Sequence, residues 1–353
     1  MAGRERGNGP RSRKRIAYYL RDPANLHYFA GLKAYLDHFV AEGAHENRLV
    51  VRGGAGDFGR FAEYRGYTHL VAADDDLDAY DLVLTPTFLR SHERTDRTRA
   101  IQIFHGMSDK PFTYERDFSD YALCLCVGLR QVERLLRHRH NRTMKFAVVG
   151  YPKFDRFPSE PKAFRNDKPT VIYCPTWRKG GLSSVGWLIE HPEVVAEILE
   201  DYNLMVKPHP NTLNPNREYY DASIVGALRE LQGVKLIHSG NVMPWLAQAS
   251  LFLGDISASG YEWLYFDRPM VFLNPRPGEL WRSRDVGSLT YLWQCGDVCE
   301  EPADLKSLID RNLAQDSYHA TREEILHYSV FHPRSGEATA RGVQKIDAVL
   351  GSL

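Results

Sequence analysis

The sequence predicts an α/β protein in which two doubly wound domains face each other across a cleft. Short apolar runs alternate with longer stretches of helical periodicity, which is typical of βαβ units that build a parallel sheet. The alternation restarts after a stretch rich in proline and charge, and 353 residues suffice for two domains of roughly 150 residues each. Because ligands of such sheets bind at the carboxyl ends of the strands, we expect the functional site in the cleft.

The first half of the chain begins with a basic segment over residues 1–15, predicted to be a disordered tail, and continues as a first domain over residues 16–150. A helix is predicted over LHYFAGLKAYLDHFVAEG, where apolar residues recur at helical spacing, and another over LRQVERLLRHR. The apolar runs predicted as strands are RIAYYL, RLVVR, THLVAA, YDLVLTP, AIQIFHG, ALCLCVG and KFAVVG.

The second half follows a predicted linker over residues 151–168 and forms a second domain over residues 169–330. Helices are predicted near HPEVVAEILED, MPWLAQA and GYEWLYF, and two more over ADLKSLIDRNLAQ and GEATARGVQKIDAVL. We expect the last segment, residues 331–353, to pack back on the first domain. The predicted strands are TVIYCPT, NLMVKPHP, KLIHSG, LFLGD and PMVFLNP.

The composition excludes several classes of protein. With 43% hydrophobic and 25% charged residues, wholesale disorder is excluded. Equal totals of 45 basic and 45 acidic residues disfavour a nucleic-acid-binding protein. The N-terminus lacks the apolar core of a secretory signal, so we expect a cytoplasmic protein. The five cysteines fall mostly in strand-like runs without a zinc spacing, which predicts structural thiols and no metal or cofactor.

Two histidines follow predicted strands, one in each domain. His105 precedes the final glycine of AIQIFHG, and an imidazole at a strand end could take a proton from an attacking hydroxyl; the alternative is a histidine that caps a backbone group. His209 follows Lys207 in KPHP, where two prolines restrain the backbone. This rigid pair could donate to a diphosphate oxygen, although an ordinary surface turn has the same pattern.

Two further strand ends carry polar residues. In YCPTWRKGG, Thr176 and the forked guanidinium of Arg178 suit a phosphate, whereas Trp177 either stacks on a base or is buried. In LFLGDISASGYEW, the residues Asp255, Ser257 and Ser259 precede a predicted helix that contains Glu262. Ser257 and Ser259 could donate to a diphosphate, and Glu262 could accept from ribose hydroxyls; helix capping is the alternative for the serines and Asp255.

These motifs together resemble the CDP-glycerol glycerophosphotransferase family, which contains teichoic-acid primases and polymerases. The resemblance runs from about Ile101 to Val343, and earlier residues match only in the rhythm of their strands and helices. It implies a GT-B-like fold of two facing Rossmann-like domains, and transfer of an alditol phosphate from a CDP-activated donor. The motifs, in order, are HG-x-x-x-K, GYPKFD, YCPTWR, KPHP, GD-x-S-x-S with a later Glu, FDRPMVF and GEATARGV.

The resemblance also implies residue roles. His105 would be the base that deprotonates the acceptor, and His209 would stabilise charge on the donor diphosphate. The remaining assignments are Lys207, Arg178, Thr176, Ser257 and Ser259 at the diphosphate; Glu262, Asp255 and Trp177 at the ribose or nucleotide; and Gly106, Asp109 and Lys110 on the acceptor side.

Two departures from the family pattern leave the identity of the donor open. Ala258 stands where the family usually has a second serine, and Glu262 stands where it commonly has Asp. CDP-ribitol or a nucleotide sugar could therefore replace CDP-glycerol. Alternative functions are a glycosyltransferase that uses a nucleotide sugar, a nucleotide-sugar 2-epimerase, which would need carboxylates in the cleft for proton abstraction, and a binding module without activity.

Acceptors in this family are lipid-linked, which implies work at the inner face of the cell membrane. The arginines and lysine of the predicted tail could bind anionic lipid, or the tail could have no role. These residues are Arg4, Arg6, Arg11, Arg13, Lys14 and Arg15.

Overall fold

The structure, a computed structural model, describes most of the chain. It covers residues 13–21, 26–52, 62–72, 76–90, 93, 96–104, 106–157, 159–177, 181–215, 218–238, 241–331 and 336–353, with the backbone alone at residues 26, 27, 62 and 63. These residues form two parallel sheets with helices packed against them, which confirms the predicted two-domain, doubly wound α/β fold.

The first sheet has the strand order β3-β2-β1-β4-β5-β6-β7, and all its neighbouring strands pair in parallel. Arg15, predicted as the last residue of the tail, is instead the first residue of β1, and it donates hydrogen bonds to the Asp81 carboxylate and to the Ala79 carbonyl. The strands are β1 Arg15–Leu20, β2 Glu46–Val51, β3 Val71–Ala72, β4 Leu82–Thr85, β5 Ala100–Ile103, β6 Leu123–Cys126 and β7 Phe146–Val148.

The second sheet repeats this pattern with the order β10-β9-β8-β11-β12-β13, again in parallel. In each sheet the first strand lies centrally and the strand order reverses beside it, between β1 and β4 and between β8 and β11. Such a reversal opens a crevice at the carboxyl ends of the strands. The strands are β8 Thr170–Cys174, β9 Asn203–Val206, β10 Val234–Leu236, β11 Leu251–Gly254, β12 Met270–Leu273 and β13 Asp297–Cys299.

The helices cover both faces of each sheet. One of the longer helices, α10, was not predicted, since its buried face includes the polar residues Arg322 and Ser329 and the apolar spacing is correspondingly weak. The helices are α1 Leu26–Glu42, α2 Leu129–Leu136, α3 Trp187–Glu190, α4 Pro192–Asp201, α5 Pro210–Leu213, α6 Ala222–Glu230, α7 Met243–Leu246, α8 Ser259–Trp263, α9 Leu305–Ala314, α10 His319–Val330 and α11 Ala338–Leu350. Within the described ranges, no helix combines the length and apolar character needed to cross a membrane.

The strands read as continuous apolar runs because both of their faces are buried. In β1, Ile16, Tyr18 and Leu20 pack into the core on one side of the sheet, whereas Ala17 and Tyr19 pack into the core on the other. All five cysteines are free and buried in these cores. Burial raises the pKa of the Cys126 and Cys174 thiols well above the ordinary value, which keeps them protonated.

The end of the chain returns to the first domain. Helix α11 packs against α1, and its residues Val343 and Ile346 belong to the same core as Leu36. The carboxylate of Asp155 accepts hydrogen bonds from the backbone N–H groups of Ala338 (3.1 Å) and Thr339 (2.6 Å) at the start of α11. The motif GYPKFD, which contains Asp155, therefore holds the helix that begins in the motif GEATARGV.

The stretch predicted as a linker has two parts. Its first four residues, 151–154, are buried, and they lie beside the cleft. Of the remaining described residues, 159–162 and 165–168 are exposed, as expected for a connecting segment. Tyr151 and Phe154 are apolar enough to join the core of the second domain, which is why this end of the stretch does not behave as a flexible linker.

Candidate active site

A cavity of about 250 Å³ lies between the two domains, at the carboxyl ends of both sheets. The strand register explains why the motifs meet there: Tyr173 pairs with Val206 and Cys174 with Gly254, so β8, β9 and β11 end at the same level. The cavity is lined by Tyr28, Gly106, Met107, Ser108, Lys110, Phe112, Thr113, Tyr151, Lys153, Pro175, Thr176, Trp177, Lys207, Pro208, His209, Pro210, Asn211, Val242, Ser257, Ala258, Ser259 and Glu262.

The cavity is rich in positive charge. Lys110, Lys153 and Lys207 all line it, with exposed fractions of 5%, 7% and 5%. Among the described lining residues, Glu262 is the one carboxylate. A buried excess of cations is costly unless an anion compensates it, so the cavity is suited to an anionic group.

Lys207 directly follows β9, and its backbone N–H donates to the Tyr173 carbonyl (2.8 Å), which continues the sheet pairing. Burial lowers the pKa of its ammonium from 10.5 to about 8, and nearby Lys153 also lowers it, while Glu262 acts in the opposite direction. The ammonium donates to the Pro208 carbonyl at 3.4 Å. Lys207 is therefore a desolvated cation, whose charge an anion in the cavity would stabilise strongly.

Lys110 spans the cleft. It comes from the loop after β5 in the first domain, and its ammonium donates to the Thr176 hydroxyl, which follows β8 in the second domain. The ammonium also lies 5.7 Å from the centre of the Trp177 ring, within the range of a cation–π interaction. The sequence assigned Lys110 to the acceptor side, but its ammonium reaches the group of residues predicted to bind the donor.

Glu262 is held by two residues of the segment that follows the first sheet. One of its carboxylate oxygens accepts hydrogen bonds from the Tyr151 hydroxyl (2.7 Å) and from the Lys153 ammonium (2.9 Å). Burial, together with the Glu262 charge, raises the pKa of Tyr151 well above its ordinary value, so its hydroxyl stays a donor. Neither Tyr151 nor Lys153 was assigned a role from sequence, because the stretch that contains them was interpreted as a linker.

His209 precedes the short helix α5, and its Nδ1 accepts a hydrogen bond from the Asn211 N–H at 3.1 Å. This bond selects the neutral tautomer in which Nε2 carries the proton. The ring stacks on Trp177, with centroids 5.8 Å apart and planes 24° apart. Trp177 itself is only partly buried and also contacts Tyr219 edge-on. The imidazole is thus fixed in orientation by a hydrogen bond and a stacked ring.

Asp255 does not line the cavity. Its carboxylate, 2% exposed, accepts from the N–H groups of Thr176 (2.9 Å) and Ser184 (2.8 Å) and from the Ser184 hydroxyl (3.0 Å). Burial raises its pKa to about 6, although these hydrogen bonds act to lower it. Asp255 follows β11, and its hydrogen bonds to residues that follow β8 connect the ends of these two strands. Its role is therefore structural. Beside it, Ser257 and Ser259 do line the cavity.

Asp109 also lies outside the cavity lining. Its side chain is 5% exposed and points into a cluster with Arg130 and Tyr261 instead of towards the cleft. Gly106 lines the cavity with a positive φ of 148°, and a Cβ there would lie 2.8 Å from the Tyr151 hydroxyl, so a glycine is required. His105 and Arg178 lie outside the described residues.

The structure thus brings nine of the predicted site residues to one cavity. They are Gly106, Lys110, Thr176, Trp177, Lys207, His209, Ser257, Ser259 and Glu262. The cavity also contains residues that were not predicted. Tyr151 and Lys153 belong to the GYPKFD motif, whereas no sequence pattern indicated Ser108 or Asn211.

Two facing Rossmann-like domains, with the strand ends of both sheets around one cleft, define a protein of GT-B architecture. The sequence model of the CDP-glycerol:poly(glycerophosphate) glycerophosphotransferase family matches residues 77–347, most of the chain. The chain belongs to that family. It is accordingly a transferase of the CDP-glycerol glycerophosphotransferase type. A comparison with curated proteins produced no match.

Several solved structures have a similar fold. The wall teichoic acid polymerase TagF with CDPG is 13% identical, with 98% of this chain and 90% of that chain covered and a TM-score of 0.60. MnaA of S. aureus with UDP is also 13% identical, with coverage of 96% and 98% and a TM-score of 0.61. The glycotransferase of kitacinnamycin is 12% identical, with coverage of 96% and 99% and a TM-score of 0.54. At these identities the likeness establishes the two-domain fold alone.

Proposed function

We propose that this protein transfers glycerol phosphate, or a related alditol phosphate, from a CDP-activated donor to a hydroxyl group of an acceptor and releases CMP. The observation that carries the proposal is the buried positive charge of the cleft, where Lys110, Lys153 and Lys207 surround one cavity with a single described carboxylate. The diphosphate of a CDP-alditol is an anion of the kind that such a cavity stabilises. Membership of the family supports the same donor.

In the proposed reaction, the acceptor hydroxyl oxygen attacks the β-phosphorus of the donor in line with the bond to CMP. The new O–P bond forms as the P–O bond to CMP breaks, and the electron pair leaves with CMP. The hydroxyl proton passes to His105, the base predicted from the sequence. The acceptor gains the alditol phosphate, and the leaving CMP carries the negative charge.

The described residues stabilise the charge that develops on the phosphates. His209 accepts at Nδ1, so its Nε2–H is the group that donates to a diphosphate oxygen, and this supports a role as donor and not as base. Lys207 and Lys110 supply positive charge from opposite walls of the cleft. Ser257 and Ser259, which also line the cavity, add hydroxyl donors.

The geometry supports transfer over epimerisation. An epimerase that abstracts a carbon-bound proton needs a basic group, commonly a carboxylate, in its cleft. Among the described lining residues, the carboxylate is that of Glu262, and one of its oxygens already accepts from Lys153 and Tyr151. That oxygen is therefore already engaged by two donors of the protein itself.

We further propose a lipid-linked or glycan acceptor at the inner membrane face, with the N-terminal basic residues attracted to anionic lipid. Deletion of residues 1–14 tests the second part. We expect reduced co-sedimentation with vesicles that contain phosphatidylglycerol, and unchanged binding to neutral vesicles. Equal binding of both proteins to the anionic vesicles would contradict a role for these residues.

The donor is tested by CMP release from CDP-glycerol and CDP-ribitol in the presence of a synthetic lipid-linked acceptor, with UDP-sugars in parallel. We expect acceptor-dependent CMP release from a CDP-alditol, and none from the Lys207→Met variant. Release of UDP from a UDP-sugar, or its epimerisation, without turnover of CDP-alditols would overturn the proposal.

A further inference from the structure

A buried ion pair lies beside the cleft, within the first domain. Arg130 on α2 donates from Nη2 to Asp109 Oδ1 at 2.6 Å, and the two side chains are 0% and 5% exposed. Arg134, one turn further along α2, donates to the carbonyls of Ser108 (2.6 Å) and Asp109 (2.8 Å). These bonds fix the loop after β5, which carries the cavity-lining residues Ser108 and Lys110.

The second domain completes this cluster with one hydroxyl group. Tyr261 on α8 donates to Asp109 Oδ1 at 2.8 Å, and its oxygen accepts from Arg130 Nη1 at 2.5 Å. The ring of Tyr291, also in the second domain, lies under the Arg130 guanidinium, with 4.0 Å between the guanidinium carbon and the ring centre. The ion pair is therefore built by one domain and covered by the other.

Tyr261 lies where it can set the width of the cavity. It directly precedes Glu262 and follows Ser259 by two residues, and both neighbours line the cavity. Its partner Asp109 lies between Ser108 and Lys110, which line the opposite wall. The Tyr261–Asp109 bond thus connects the two walls through residues that do not themselves face the cavity.

We propose that Tyr261 is a positioning residue, whose hydroxyl holds α8 against the Asp109–Arg130 pair and keeps the two walls of the cleft at the distance at which the donor binds. This proposal rests on the proposed function for its effect on catalysis, but not for its effect on the arrangement of the domains. When the domains separate, the hydroxyl loses two hydrogen bonds to charged groups, and such bonds are stronger than neutral ones.

The consequence is a shift in population. If only the closed arrangement binds the donor, the apparent affinity falls in proportion to the closed fraction. Loss of the hydroxyl lowers that fraction, whereas a saturating concentration of donor restores it. We therefore expect the KM for the donor to rise on the order of 10-fold in Tyr261→Phe, with kcat changed much less.

The matched control is Tyr202→Phe. Tyr202 donates to Asp310 Oδ1 at 2.6 Å, so the control also removes a tyrosine–aspartate bond, but both of its residues belong to the second domain and lie away from the cavity. The experiment measures KM and kcat for CMP release from CDP-glycerol. It also measures the radius of gyration of each ligand-free protein by small-angle X-ray scattering. We expect Tyr261→Phe alone to have a raised KM and a larger radius.

An unchanged KM and an unchanged radius in Tyr261→Phe would overturn the proposal, and so would equal effects in Tyr202→Phe. If the wild-type protein turns over neither CDP-glycerol nor CDP-ribitol, the proposed function fails, while the scattering comparison still decides the role of Tyr261. If Tyr261→Phe does not fold, Tyr291→Leu removes the ring under Arg130 and leaves the hydrogen bonds. An unchanged radius in that variant supports the proposal, because the two bonds of the Tyr261 hydroxyl remain and suffice to hold the walls, and a larger radius contradicts it.

Discussion

The Glu262 carboxylate lies 2.9 Å from the Lys153 ammonium, and this ion pair joins the second domain to the segment that follows the first sheet. Both side chains are less than a tenth exposed, so neither charge is well solvated. Removal of one partner from a buried pair leaves an uncompensated charge, which costs more than the loss of the attraction itself. The pair therefore links the integrity of the domain boundary to the charge of the cavity.

We expect Lys153→Met to lower the free energy of unfolding by about 3 kcal/mol, and the double variant Lys153→Met/Glu262→Gln to be less destabilised than the sum of the single variants. The reason is that each single change strands the other charge. Urea unfolding of the four proteins gives the coupling energy. The control is Lys306→Met, whose partners Asp201 and Asp310 are 62% and 46% exposed, and for which we expect a change below about 1 kcal/mol. Additive effects of Lys153→Met and Glu262→Gln would contradict the coupling.

The pKa of Lys207, about 8, predicts how donor binding depends on pH. Below pH 8 the ammonium is charged and attracts the diphosphate, whereas above pH 8 the free protein loses that charge. We expect kcat/KM for the donor to fall as the pH rises through 8, since this ratio reports the free enzyme. In Lys207→Arg the fall should disappear, because a guanidinium stays charged. A wild-type profile that is flat between pH 7 and about 9 would refute this assignment.

Lys207 should also reduce the stability of the protein. Its pKa in the folded protein is below the 10.5 of an exposed lysine, so the unfolded chain binds more protons between pH 8 and 10.5. Charged Lys207 thus costs about 3 kcal/mol below pH 8, and this cost disappears as the pH rises to 10.5. We expect Lys207→Met to unfold at a higher temperature than the wild type at pH 7, with the difference shrinking by pH 10. A variant less stable at pH 7 would contradict the prediction.

His209 can be tested separately for its two bonds. His209→Asn retains an acceptor for the Asn211 N–H, because asparagine is a favoured residue before a helix, but it removes the Nε2–H donor. We expect kcat to fall by about 10²–10³-fold, the usual effect of losing one donor to a developing charge. We expect the melting temperature of His209→Asn to differ from that of the wild type by no more than an ordinary surface substitution would cause. A large loss of stability with intact kcat would mean that His209 serves only as a cap.

Asp155 should stabilise the attachment of α11. Asp155→Ala removes the acceptor for the N–H groups of Ala338 and Thr339, which should lower the free energy of unfolding by about 0.5–2 kcal/mol. Asp155→Asn, which can still accept, should lose less. Hydrogen exchange measures the effect directly. In Asp155→Ala we expect exchange to speed up in α11 more than in α1. Equal protection of α11 in the wild type, Asp155→Ala and Asp155→Asn would contradict a capping role for Asp155.

Much of the fold could be predicted, because parallel strands buried on both faces appear as continuous apolar runs. Runs such as RIAYYL and TVIYCPT correspond to β1 and β8. Helix α10 could not be predicted in this way, since Arg322 is buried there against Asp267 and Asp316. Its polar partners are distant in the sequence or lie outside the helix, so helical spacing alone does not report them.

The candidate site was predicted through residues that follow strands, and this criterion does not tell which of their side chains face the cavity. Asp255 and Asp109 follow strands as Lys207 does, yet their carboxylates accept hydrogen bonds from neighbouring loops and from Arg130. Whether a polar side chain turns to the cleft or to a neighbouring amide depends on the loop conformation. Tyr151 and Lys153 line the cavity but were not predicted to do so, because the proline-rich composition around them suggested a linker.

The order of apolar and polar segments alone determined two parallel sheets, since burial of a strand depends on its own side chains. Only the tertiary structure decided which charges share a cavity and which pair with one another. Lys110 meets Thr176 and Tyr261 meets Asp109 across a boundary between domains. Contacts of that kind depend on how two separately folded cores are docked, and no local pattern of residues encodes the distance between them.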